Sequence, residues 1–264
     1  MKIGFIGCGN MATAMLKGIL KSGEVEASDM IASAKSDKTR EKIEKELGIR
    51  KADNNAQVVD FADVVFLAVK PQFLEDVLDE IRGSVKAGQI FISIAPGKTL
   101  QWLGERLGEN TKVIRTMPNT PAMVGEGMTA LCVNELITEE ETALAVKLCD
   151  TFGKTEVIPE HLMDAVVGVS GSSPAYVFMF LEAMADAAVA DGMPRAQAYK
   201  FAAQSVLGSA KLMQETGKHP GELKDMVCSP AGTTIQAVRV LEEKGFRSAV
   251  IEAQTECVKK AKGM

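Results

Sequence analysis

The groups in this chain best suited to chemistry are backbone donors at two glycine-containing turns. The first is Gly7-Cys8-Gly9-Asn10-Met11-Ala12, of the form G-x-G-x-x-A. It follows the apolar run Ile3 to Ile6 and leads into Met15, Leu16, Ile19 and Leu20 at helical spacing. In a strand–turn–helix unit the first glycine makes the tight turn and the second lets the backbone approach a pyrophosphate. A small third residue packs helix against strand. The phosphates then rest on free N–H groups at the positive end of the helix. This predicts a dinucleotide site over Ile6, Gly7, Cys8, Gly9, Asn10, Met11 and Ala12. The Cys8 thiol, inside the turn, is expected to be open to alkylation when cofactor is absent.

The second turn is Ser229-Pro230-Ala231-Gly232-Thr233-Thr234, before an amphipathic run of Ile235, Val238 and Leu241. Ser229 reads as the helix cap and Pro230 as a first-turn residue. The N–H groups of residues 231–234 would then form a nest for an anion, such as a substrate carboxylate. The threonine hydroxyls add polar contacts there. A well-capped helix with no ligand has the same outline. Gly232 favours the ligand, because a glycine in a first turn is costly unless something approaches closely. Gly171-Ser172-Ser173-Pro174 also precedes a helix and reads as a second wall.

Positioning these turns requires two kinds of architecture. Expected strands at 2–6, 30–32, 64–69, 90–94 and 113–116 alternate with helices at 12–21, 38–47, 72–82 and 100–107. Strands at 128–133 and 155–158 flank one more helix, 139–152. Runs such as Val64-Val65-Phe66-Leu67 are apolar on both faces, as a central parallel strand covered by helices must be. The fold expected is an α/β Rossmann-type doubly wound sheet. Beyond Pro159 the pattern is helical, at 160–169, 174–191, 194–216 and 248–262. Pro174 and Pro194 read as first-turn residues, and Gly192 and Gly217 as stops. The Ala175, Ala183, Ala187 and Ala190 face reads as helix packing. The expected domains are 1–158, binding dinucleotide, and 159–264, an all-α part that binds substrate. So small a helical domain could be completed by a second subunit.

Ligands of an open α/β sheet lie beyond the carboxyl ends of its strands. Three such ends should converge on one crevice: Ala68-Val69-Lys70-Pro71, Ser93-Ile94-Ala95-Pro96-Gly97, and the loop 115–121. Asn119 and Thr120 in that loop are either turn-makers or site residues. The second strand, where an NAD site usually carries an acid, ends instead in Ser33-Ala34-Lys35-Ser36. Ser33, Lys35 and Ser36 suit a 2′-phosphate, so NADPH is expected to be preferred, with NADH possible.

The chain has 264 residues, 46% hydrophobic and 25% charged, with net charge −5. These values suit a soluble protein and disfavour a nucleic-acid partner. The least charged stretch, 165–181, is too rich in Gly, Ser and Pro for a good membrane span. No signal peptide is expected. Five cysteines without a C-x-x-C pair suit a reducing cytoplasm. Only two histidines, His161 and His219, speak against a metal site or a histidine-centred triad. Both read as structural.

GCGNMA, FLAVKP, RTMPNTPA, GSSPAY and SPAGTTIQAV occur together and in order. With these motifs the chain resembles the pyrroline-5-carboxylate reductases over nearly its whole length, most specifically at 223–242. The resemblance implies a helical dimerisation domain after the Rossmann domain, NADPH preference, and oligomers built from dimers. It implies that Asn55, Ala68 and Lys70 touch cofactor. Ser229, Ala231, Gly232 and Thr233 would hold the substrate carboxylate, with Thr234 on the ring nitrogen. Some relatives carry an acid just before a segment like His219-Pro220-Gly221, where this chain has Gly217 and Lys218. Two rivals remain. Another two-domain imine or β-hydroxyacid dehydrogenase would share the first domain; its hydroxyacid members carry an acid–base lysine in the second, and 174–191 has none. A nucleotide sensor would not need the second turn.

Overall fold

The computed structural model describes residues 1–263 and divides into two compact units. The first comprises Met1–Gly171 and the residues from Val258 on; the second comprises Ser172–Cys257.

The first unit is built on β1 (Ile3–Ile6), α1 (Asn10–Ser22), β2 (Met30–Ser33), α2 (Asp37–Leu47), β3 (Arg50–Lys51), α3 (Asn55–Phe61) and β4 (Val64–Leu67). It continues through α4 (Pro71–Ile81), β5 (Ile90–Ser93), α5 (Leu100–Leu107), β6 (Lys112–Met117), β7 (Gly127–Val133), α6 (Glu139–Asp150), β8 (Gly153–Val157) and α7 (Met163–Val166). The strands form one sheet in the order β3-β2-β1-β4-β5-β6-β7-β8. Every pairing is parallel except β6 with β7. This is the doubly wound Rossmann-type sheet expected, with its order reversing between β1 and β4.

β1, β2, β4 and β5 are buried along their whole length, because helices cover both faces. One face packs α1 through Ala12, Met15, Leu16 and Ile19, spaced for one helix stripe. The other packs α3, α4 and α5 through Val58, Leu74, Leu78 and Leu103. Two glycines permit close approach. A Cβ on Gly4 would lie 2.5 Å from Val58 Cγ1, and one on Gly18 would lie 2.8 Å from the Thr151 carbonyl oxygen.

Some local expectations need correction. β3 and α3 were not foreseen, since two and seven residues are too short to show a period. The strand expected to reach 69 stops at Leu67, because Lys70 caps α4 and Pro71 opens it. The single helix expected at 160–169 is a 3₁₀ turn (Glu160–Leu162), then α7, then a π-turn at Val167–Gly171. Asn119 Nδ2 donates to the Ser170 carbonyl inside that π-turn at 3.0 Å.

The second unit is helical: α8 (Ser173–Ala190), α9 (Arg195–Thr216), α10 (Pro220–Val227), α11 (Thr233–Glu243) and most of α12 (Phe246–Ala261). Among the described residues no strand follows β8. Pro174 sits in the first turn of α8 as expected, whereas Pro194 caps α9 from outside. Gly217 closes α9 in the left-handed conformation, φ 62°. α8 and α9 pack on each other, burying Ala185, Ala198 and Ala202. The face named from sequence, Ala175, Ala183, Ala187 and Ala190, is solvent-exposed in the single chain. Large apolar side chains are exposed as well: Phe178 (66%), Met179 (70%), Phe201 (68%) and Ile251 (65%). By length and composition alone, Glu160–Ala190 is apolar enough to cross a membrane, with mean hydropathy 1.2.

Candidate active site

The first turn is set by its glycines. Gly7 has φ 93°, and a Cβ there would lie 2.8 Å from both the Ala68 carbonyl oxygen and Val69 Cγ1. The turn is thereby pressed against the end of β4. Gly9 caps α1 with φ −76° and ψ −170°, and a Cβ there would meet no protein atom within 4 Å. Protein packing does not demand that glycine, whereas a diphosphate lying against the backbone would. α1 has no side-chain cap and no acid in its first turn. Its first N–H groups are left to an outside acceptor.

Two hollows flank this turn. One, of about 380 Å³, is lined by Gly7, Ser33, Lys35, Asn55 and Val69 among the expected residues. The other, of about 410 Å³, is lined by Cys8, Gly9 and Asn10 together with Lys38, Lys42 and Lys45. Met11 is half-buried at the start of α1. Ile6, Ala12 and Ala95 put their side chains into the core, so what they offer a ligand is backbone. Ala68, Lys70 and Pro71 lie at the end of β4, with Lys70 exposed as the α4 cap. The ends of β4, β5 and β6 share one edge of the sheet, since these three strands are adjacent and parallel.

The first hollow also holds residues that sequence reading missed. Arg40, in α2, donates from Nε to the Ala34 carbonyl at 2.8 Å and lies 3.6 Å from Asp37. This fixes a guanidinium beside Lys35, whose Nζ stands 5.2 Å from the centre of the Phe73 ring. The signal was available: Ser36 is the α2 cap, and Arg40 lies one turn later. Glu80 binds Asn55, and nothing in the local pattern announces it.

Asn119 is a turn-maker. Its Nδ2 holds Ser170, and its Oδ1 accepts from the Met128 N–H at 2.8 Å, so both ends of the amide are committed to backbone. Arg115 is buried and pairs with Glu160 at 3.0 Å, and Glu160 also accepts from the Leu100 N–H at 2.8 Å. Beside this pair, burial and the Glu160 charge push the Cys132 thiol up to about 12. Cys8 is buried too, and burial raises its pKa. The exposed thiol expected there is therefore incorrect. His219 caps α10, with Nδ1 accepting from the Gly221 N–H at 3.1 Å, a structural role.

The second turn differs from its expected form. The α11 cap is Gly232, not Ser229, and Pro230 lies in a turn ahead of the helix rather than inside it. Ala231 is the one non-glycine residue with positive φ among those described, at 57°. The Gly232 N–H donates to the Ser229 carbonyl at 3.0 Å. A Cβ on Gly232 would lie 2.4 Å from Ser229 Oγ. What crowds the glycine is thus its own turn, chiefly a side-chain hydroxyl that can rotate away. α11 again has neither a side-chain cap nor an acid in its first turn. Thr233 is exposed and Thr234 half-buried. Ser172 Oγ lies 3.0 Å from Cys257 Sγ, which engages the hydroxyl expected to form a second wall.

Comparison with known proteins bears on both parts of the chain. The family described as pyrroline-5-carboxylate reductase dimerisation matches residues 160–264, and the family described as NADP oxidoreductase coenzyme F420-dependent matches residues 2–97. The pyrroline-5-carboxylate reductase of Escherichia coli K12 is 56% identical over 260 residues, 98% of this chain and 97% of that protein. That of Methanosarcina acetivorans is 45% identical, covering 96% of this chain and 93% of its own. Among solved structures, the Coxiella burnetii pyrroline-5-carboxylate reductase superposes with a TM-score of 0.93 at 33% identity, covering 99% of this chain and 97% of that one. The Plasmodium falciparum pyrroline carboxylate reductase, solved with NADP bound, gives 0.89 at 28% identity, covering 100% and 97%. The chain belongs to the pyrroline-5-carboxylate reductase family.

Proposed function

We propose that this protein is an oxidoreductase that reduces 1-pyrroline-5-carboxylate to L-proline with NADPH, the last step of proline synthesis, and accepts NADH less well. The observation that carries the substrate half is the second turn. The left-handed Ala231 and the packed Gly232 leave the start of α11 free of any cap of its own, at the segment most specific to the family.

The cofactor, when bound, supplies a hydride to the carbon of the substrate C=N bond. The first turn holds its diphosphate on the N–H groups of Asn10, Met11 and Ala12. Gly7, Cys8 and Gly9 contribute backbone, and Ile6, Ala68, Val69, Lys70, Pro71 and Ala95 complete the wall. Ser33, Lys35 and Asn55, with Arg40, take the adenosine end. Ser229, Ala231, Gly232 and Thr233 hold the substrate carboxylate. Thr234 Oγ1 hydrogen-bonds the ring nitrogen, as donor or acceptor according to the nitrogen's protonation. A protonated imine is already electrophilic, so these residues need only position it and stabilise its charge.

The functional boundary lies between residues 158 and 159, with dinucleotide binding before it and substrate binding and dimerisation after. Self-association runs through the exposed apolar faces of α8, α9 and α12, giving a dimer or a higher oligomer. That occupant also accounts for the apolar Glu160–Ala190 stretch without a membrane. The protein acts in the cytoplasm, with neither nucleic acid nor membrane as partner.

The test is NADPH oxidation with 1-pyrroline-5-carboxylate, run beside the Thr234→Ala variant. Turnover by the parent and a loss of about tenfold or more in kcat/KM in the variant, with unchanged melting temperature, are expected. A parent that binds NADPH and never forms proline would end this assignment.

A further inference from the structure

The adenosine end of the first site contains a hydrogen-bond chain that the reaction does not account for. Asn55 opens α3, Ser33 ends β2, and Glu80 sits in the last turn of α4. Asn55 Nδ2 donates to Glu80 Oε2 at 2.7 Å, and the Asn55 backbone N–H donates to Glu80 Oε1 at 3.3 Å. An ionised carboxylate only accepts. The Asn55 amide therefore has one orientation, nitrogen toward Glu80 and oxygen toward Ser33. That oxygen accepts from Ser33 Oγ at 2.6 Å. The Ser33 proton is committed, and what its hydroxyl still presents to the hollow is lone pairs.

The two cofactors differ in what they ask of that oxygen. The 2′-hydroxyl of NADH can donate to a lone pair. The 2′-phosphate of NADPH carries acceptor oxygens and needs a proton from its partner. Lys35 and Arg40 favour the phosphate by charge, while Ser33, as the chain sets it, favours the hydroxyl.

We infer that Glu80 is a specificity-determining positioning residue: through Asn55 it holds Ser33 as an acceptor and narrows the discrimination between NADPH and NADH. This rests on the reading that the hollow takes the adenosine end of the cofactor. Glu80 lines the same hollow, so its charge acts on a phosphate directly; its hold on the Ser33 proton is a separate effect that runs through Asn55.

Glu80→Gln reverses the chain without changing its shape. The oxygen of the new side-chain amide accepts from the Asn55 backbone N–H, and its NH₂ faces the Asn55 side chain. The Asn55 amide turns over to accept there, so its own NH₂ donates to Ser33 Oγ. The Ser33 proton becomes free for a phosphate oxygen. Calorimetric titration with NADP⁺ and with NAD⁺ reads the result as a ratio of affinities. The ratio is expected to rise about tenfold toward NADP⁺, the worth of one charge-assisted hydrogen bond.

Removing a negative charge also favours phosphate, and two controls separate the causes. Asp76→Asn removes a charge from the lining of the same hollow and measures the charge effect alone. Ser33→Ala removes the proton. In the Ser33→Ala background, Glu80→Gln should shift the ratio no more than Asp76→Asn does. A ratio unchanged by Glu80→Gln, or an equal rise with and without Ser33, overturns the inference and leaves the cofactor reading standing. A parent that binds neither dinucleotide overturns both.

Discussion

The two glycine turns of this chain have nearly the same backbone and very different surroundings. Gly9 caps α1 at φ −76° and ψ −170°, and Gly232 caps α11 at φ −73° and ψ 169°. Neither helix has a side-chain cap or an acid in its first turn. Each therefore offers free N–H groups and the positive end of a helix to an anion. Yet α1 buries Ala12, Met15, Leu16 and Ile19 in the sheet core, while α11 buries no residue within the chain. The chemistry of such a turn is local, but its rigidity and dryness are not. The first turn is finished by its own fold. The second is not: α11 buries nothing in this chain, and large apolar residues of α8 and α9 are exposed as well.

The largest expected effect is at the first turn. Gly9→Val adds a side chain where the protein has no atom within 4 Å and the backbone needs no glycine. Folding should be kept while the space against the backbone is filled. The Kd for NADP⁺ should rise by about 100-fold, or about 2.7 kcal/mol. Near-parental affinity in calorimetry would show that the diphosphate lies elsewhere.

Next in size is the dependence of the second turn on assembly. Phe178→Glu combined with Phe201→Glu places charge on two side chains that are 66% and 68% exposed in the single chain. Sedimentation should show a monomer. Turnover should fall about tenfold or more, while NADP⁺ affinity changes by less than about twofold, because only the second turn loses its cover. A monomer with full turnover would break the comparison.

A smaller contrast lies between two alanine variants. Gly7→Ala forces a Cβ at φ 93° to within 2.8 Å of a backbone oxygen, which cannot yield. It should cost about 2–3 kcal/mol of stability in denaturant melts. Gly232→Ala meets the movable Ser229 hydroxyl at an ordinary φ. It should cost less than about 1 kcal/mol of stability and instead raise the KM for the cyclic imine about tenfold. Equal stability losses would mean that both glycines serve the fold alone.

What sequence could reveal followed the range of the interaction. β1, β4 and β5 announce themselves by apolar runs, and the first turn by glycines just after the first of those runs. The second turn was found, yet its cap was misplaced, at Ser229 rather than Gly232. Ser and Pro at 229 and 230 carry the usual cap signature, and only the tertiary backbone shows Ala231 left-handed and Gly232 as the cap. Asn119 was undecided because its two partners, Met128 and Ser170, lie 9 and 51 residues away. Glu80 was invisible for the same reason, standing 25 residues from Asn55. The Ala face of α8 had the right composition, but whether it meets this chain or another is not written in its spacing.

The last contrast concerns thiols and is the smallest. Cys8 lies inside the first turn, only 5% exposed, and burial raises its pKa, although a 3.8 Å contact with Thr13 Oγ1 opposes this. Alkylation needs the thiolate and access to it, and Cys8 is short of both. Cys149 is fully buried, with its thiol pushed up to about 12. Cys228 is half-buried and adjoins the second turn. At pH 8, peptide mapping after iodoacetamide should find Cys228 labelled ahead of Cys8, and Cys149 last. Bound NADPH should hardly change the Cys8 rate, since the fold already shields it. The Cys228 rate should rise by several-fold in the double Phe→Glu variant, where its cover is lost. If instead Cys8 labels fastest and NADPH protects it, the first turn is the open one, and the contrast between a finished and an unfinished cradle fails.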